Sequence, residues 1–120
     1  MAKNHLLECL EKRDLLNEDG ASEATLLGWG RRFEEAGLLN DAVEFYDRAD
    51  SSEDLKRLHD IAQEEGDLFL FTKLSRILKH DPSRDEWLML ADRAEAAGKF
   101  SFAADARRRG GGVEEGGEPA

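Results

Sequence analysis

The chain has 120 residues, of which 40% are hydrophobic and 37% charged, and its formal net charge is -10. That length suits one domain with a modest core. The negative balance repels phosphate backbones and anionic lipid, which argues against nucleic acid and membranes as partners. A single cysteine, Cys9, has no internal disulfide partner, so a reducing compartment is expected.

The first predicted element covers residues 1–20. Leu6, Leu7, Cys9, Leu10, Leu15 and Leu16 give a partial helical stripe, and residues 17–20 (NEDG) read as a stop. Glu8 and Glu11 interrupt the apolar run. No signal-peptide core or membrane span is therefore expected, and the expected location is cytoplasmic.

The second stretch, residues 26–49, encodes two amphipathic helices. Leu26, Trp29 and Phe33 share one helical face that must be buried. Gly37 supplies a residue that takes positive φ without steric cost and ends the helix. Asn40 or Asp41 is expected to cap the next helix, in which Ala42, Val43, Tyr46 and Ala49 form the returning stripe. Ser22 is the expected cap of the opening helix.

The same unit recurs twice. The turn glycines Gly37, Gly66 and Gly98 lie 29 and 32 residues apart. Aligned on them, Leu26 corresponds to Leu55 and Trp87, Trp29 to Leu58 and Leu90, and Phe33 to Ala62 and Ala94. After the glycine, Leu39 corresponds to Leu68 and Phe100, and Ala42 to Phe71 and Ala103. The large Phe71 at an otherwise small position predicts a different packing angle in the second unit. Ser51 or Ser52 opens that unit. Ser83 with Glu86 forms a capping box in the third, after Pro82 stops the preceding helix. Past Arg107, Arg108 and Arg109, residues 110–120 are too rich in glycine to bury surface and read as a disordered tail.

Leu26, Trp29, Gly30 and Phe33, followed by Gly37, Ala42, Tyr46 and Ala49, resemble a tetratricopeptide repeat, whose signature is W-x2-L-G-x2-Y followed by A-x3-F and P. A Leu stands where that family often has Trp, Trp29 takes its Leu position, and Asp54 replaces its closing Pro. The resemblance implies an all-α fold: an α-α superhelix of about three helix pairs (22–50, 52–81 and 83–109) preceded by an N-terminal capping helix.

Few residues suggest chemistry. His5 and Cys9 lie one helical turn apart, but a metal site needs three or four ligands, and His59 and His80 have no Cys or His at ligand spacing. No closed pocket is expected for a Cys9 nucleophile. The glycines after Gly110 follow no strand and open no helix, so they form no phosphate loop. The three arginines suit a solvated helix end, where positive charge meets the helix dipole favourably. No enzyme activity, metal or cofactor is expected.

What remains is surface, and the resemblance implies that partner peptides lie along the first helix of each pair. The positions carried over are Leu27 and Arg31 in the first unit, Lys56, Arg57 and Asp60 in the second, and Leu88, Asp92 and Glu95 in the third. The leucines, with Met89, suit an amphipathic helix or extended segment of another protein. Leu27 and Arg31 stand where the chaperone-tail variant of the family has Lys and Asn, so chaperone-tail binding is not expected. A homo-oligomer is the alternative, joined through Phe100, Phe102, Ala103 and Ala106.

Overall fold

Helices of ten to fourteen residues are marginal alone in water, so their stability here comes from the face each one buries. The computed structural model describes Arg13, Leu16 and residues 22–111. These residues hold six helices and no strand: α1 (Glu23–Glu35), α2 (Leu39–Arg48), α3 (Ser52–Glu65), α4 (Leu68–Ile77), α5 (Arg84–Ala96) and α6 (Phe100–Arg109). Arg13 and Leu16 are helical. The rest of the expected capping helix, with His5 and Cys9, lies outside the described residues, as do residues 112–120 of the expected tail. Among the described residues no helix is long and apolar enough to cross a membrane.

The three first helices end alike. Gly37, Gly66 and Gly98 have φ of 80°, 67° and 81°. The residue after each glycine donates its N–H back to the carbonyl five residues earlier, Leu38 to Phe33, Asp67 to Ala62 and Lys99 to Ala94, at 2.8–2.9 Å. This is the Schellman closure, and it satisfies carbonyls that the helix leaves free. Each second helix then starts two residues after its glycine, at Leu39, Leu68 and Phe100.

The second helices also end on left-handed residues, two of which the sequence does not flag. Asp50 and Lys79 adopt φ of 59° and 56° and Gly111 adopts 83°. All three stand at one position in the repeat, thirteen residues after the turn glycine. Gly110 belongs to this helix end and is buried, and a β-carbon there would lie 2.9 Å from Trp87 Cβ.

Capping follows the sequence at two starts and departs from it at one. Ser22 Oγ accepts from Thr25 N at 3.1 Å, and Ser83 with Glu86 forms the reciprocal capping box of α5. Ser51 precedes α3 and its hydroxyl donates to Asp54 at 2.6 Å. Neither Asn40 nor Asp41 caps α2. Its cap is Leu38, which has no side-chain bond to offer, since the tight turn after Gly37 starts the helix before Asn40 is reached.

The chain divides into two compact units, Met1–Leu55 and Lys56–Ala120. In the first, α1 packs on α2. Phe33 stacks on Phe45 at 5.4 Å, and Leu26, Ala42, Val43 and Tyr46 are buried. Trp29 is only half-buried, tilted against Phe33 with the Arg32 guanidinium 4.8 Å from its ring centre. In the second unit Leu58, Ala62, Leu70, Leu74, Leu90, Ala91, Ala94 and Ala106 form the core. Each large side chain so buried contributes roughly 1.5–3 kcal/mol.

The size of Phe71 is absorbed by its neighbours. Its ring stacks on His59 at 4.4 Å and meets the edge of Trp87 at 5.3 Å. Two polar ties also run between the second and third helix pairs: Gln63 Nε2 donates to the Glu86 carbonyl and Lys99 Nζ to the Glu65 carbonyl.

Candidate functional site

The three repeats diverge at one chemically unusual place. Seven residues before the turn glycine the three units carry Gly30, His59 and Ala91; nine after it they carry Tyr46, Ser75 and Arg107. In the first unit the small residue faces the large one, for a β-carbon on Gly30 would come within 2.6 Å of the Tyr46 ring. The second unit inverts the sizes, with a large His59 facing a small Ser75. Both are buried, and His59 Nε2 lies 2.9 Å from Ser75 Oγ.

His80 stands edge-on to His59, with ring centres 5.5 Å apart. Its Nε2 is 2.9 Å from both carboxylate oxygens of Glu86. Glu86 Oε1 also accepts the Ser83 N–H at 2.7 Å, so one carboxylate caps α5 and holds His80. Beside these rings opens a cavity of about 430 Å³ lined by Lys56, His59, Asp60, Leu78, Lys79, His80 and Glu86.

The electrostatics follow from burial and neighbours. Desolvation lowers the His59 pKa and the nearby His80 lowers it further, against opposing pulls from Glu86 and Asp60. Desolvation pushes Glu86 upward, but the Ser83 N–H and His80 outweigh it and hold the carboxyl below its ordinary value. Among the described residues no group of three His, Cys, Asp or Glu is arranged to hold a metal ion.

The eight expected partner-binding residues fall into four pairs. Lys56 and Asp60 meet at the cavity, while Arg57 and Arg31 are exposed. Asp92 and Glu95 are exposed, yet both pair with Arg107 of α6, which therefore links α5 to α6. Leu27 and Leu88 are half-buried rather than exposed, because the buried stripe of α1 and α5 is wide enough to reach them. Met89 is 50% exposed, as a peptide-contacting position requires.

The C-terminal arginines are also engaged within the chain. Arg108 and Arg109 both pair with Asp105, and Arg109 lies over Trp87. On α6, Ala103 and Ala106 are buried and so give no surface to another copy. Phe100 is 68% exposed, and Phe102 meets the edge of Phe69, itself 71% exposed, at 5.1 Å.

Comparison of the chain with protein-family models, curated proteins and solved structures finds no match. Metal-ligand spacing, the usual guide to histidine chemistry in a sequence, passes over His59. The available signal is its position: an imidazole where the preceding unit has glycine requires a small residue on the facing helix.

Proposed function

We propose that the chain is a protein-interaction module, a right-handed tetratricopeptide-like stack whose first helices present a partner-binding wall. The observation that supports this role is the common register of the three helix pairs, in which helix starts, turn glycines and left-handed residues recur at fixed positions. Regular short helix pairs of this kind preorganise a surface, so a peptide binding to it does not have to order its receptor. Arg31, Lys56, Arg57 and Met89 are the side chains offered to a peptide or helix of the partner. Asp60 adds an acidic group beside Lys56, and Asp92 and Glu95 are partly neutralised by Arg107.

The test is affinity capture from extracts of the expressing cell with the natural chain and a Lys56→Glu, Arg57→Glu variant. Loss of a retained protein in the variant, with its helical circular dichroism unchanged, supports the role. An identical retained set removes the second unit from the binding wall.

Self-association is favoured by a separate observation, the exposed rings of Phe69 and Phe100. Sedimentation over a concentration series distinguishes it: a dimer at micromolar concentration supports self-assembly, and a monomer supports a foreign partner.

A further inference from the structure

The inversion of sizes at His59 and Ser75 places an ionisable ring where the first unit has a glycine against a tyrosine. We propose that His59 makes the second helix pair sensitive to mild acid: protonating its ring puts a cation into a site packed for a neutral one and loosens α4 around it. This is a property of the fold and holds whether or not the chain binds a partner as proposed above.

The geometry carries the inference. His59 is 6% exposed and stacked on Phe71, and its Nε2 meets Ser75. A serine hydroxyl can donate to a neutral ring nitrogen or accept from a protonated one, so Ser75 adapts to either state. It cannot supply counter-charge.

The charged and titratable groups around the ring come from every neighbouring element. Lys56 and Asp60 lie on α3 with His59, Lys79 and His80 follow α4, and Glu86 comes from α5. Lys56, Lys79 and the His80 ring oppose a charge on His59. Asp60 and Glu86 favour it, as does the face of Phe71. Lys56, Lys79 and Asp60, however, are all exposed and screened by solvent. Glu86 is already held by His80 and the Ser83 N–H. Burial and His80 decide the balance and lower the His59 pKa.

The sign follows from linkage. An unfolded histidine takes its proton near pH 6.5, while the folded His59 ring does so at lower pH. Between those values the unfolded chain binds more protons. Stability is therefore full above about pH 6.5 and falls as the pH drops through that value, until the folded ring also protonates. The shift of Glu86 acts at and below the ordinary glutamate range, so it leaves the interval from pH 7.5 to 5.5 to His59.

The experiment is thermal melting of the full chain at pH 7.5 and 5.5 for the natural sequence, His59→Gln and His80→Gln. It is paired with proton NMR titration of the histidine rings in the natural chain. A melting temperature several degrees lower at pH 5.5, a drop at least halved in His59→Gln, and a drop reduced but still present in His80→Gln, where burial of His59 remains, are expected. Equal drops in the natural chain and His59→Gln, or loss of the drop only in His80→Gln, would overturn the proposal. Should His59→Gln fail to fold, the NMR titration decides: a His59 midpoint clearly below 6.5 supports it, and one at or above 6.5 contradicts it.

Discussion

The ring of Tyr46 lies against the backbone of Gly30 so closely that a β-carbon at that glycine would stand 2.6 Å from Tyr46 Cε1. Tyr46 is fully buried, and its hydroxyl is fixed by a 2.7 Å bond to Glu34, so the ring has little freedom to retreat. Gly30→Ala gains about 1 kcal/mol of helix propensity and loses about 1–3 kcal/mol to overpacking. A net loss of about 1 kcal/mol is expected in urea unfolding. Gly28 lies on the same helix, and a β-carbon there would meet nothing within 4 Å, so Gly28→Ala should stabilise by roughly 0.5–1 kcal/mol.

Two turn glycines separate backbone strain from close approach. Gly37 and Gly66 both have positive φ, but only at Gly66 would a β-carbon meet another backbone, 2.4 Å from Ala94 Cα. Gly37→Ala should cost about 1–2 kcal/mol for the left-handed conformation alone. Gly66→Ala should cost clearly more, about 3 kcal/mol or above, because α5 has to move. Equal losses in denaturant titrations would contradict the close packing at Gly66.

The left-handed ends of the second helices predict gains. Lys79 holds φ of 56° without the local tolerance that Asp50 has at 59°. Lys79→Gly should stabilise by up to about 1 kcal/mol, with Asp50→Gly giving less or nothing. Melting temperatures of the two variants check the order.

Much of this architecture is legible in the residues. The turn glycines, the Ser22 cap, the Ser83 and Glu86 box and the stripe through Leu58 and Leu90 follow from local rules, and the helices stand where those rules put them. Asp50 and Lys79 are not legible, because a closing turn imposes positive φ on whatever residue occupies the slot. Asn40 and Asp41 mislead because cap preference says nothing of how soon a Schellman turn restarts a helix. Periodicity marks the inward face of α1 and α5 but not its width, which leaves Leu27 and Leu88 half-buried. The contacts of His59 with Ser75 and of Phe69 with Phe102 join residues far apart in sequence, so no local pattern announces them.

The capping box adds an acid-dependent prediction. Ser83→Ala should cost about 1 kcal/mol at pH 7. Glu86 is held below its ordinary value, so its contribution is present above the glutamate range and is lost as the pH falls through its folded value. The difference between Ser83→Ala and the natural chain should therefore shrink below about pH 4. A constant difference across the acid range would show that Glu86 is not coupled to the cap.

The proposed binding wall is tested most directly by hydrogen exchange of the chain alone and with a partner obtained by capture. Added protection is expected in peptides from α1, α3 and α5, covering Arg31, Lys56 and Arg57. Protection confined to α4 and α6, around Phe69 and Phe100, would contradict it.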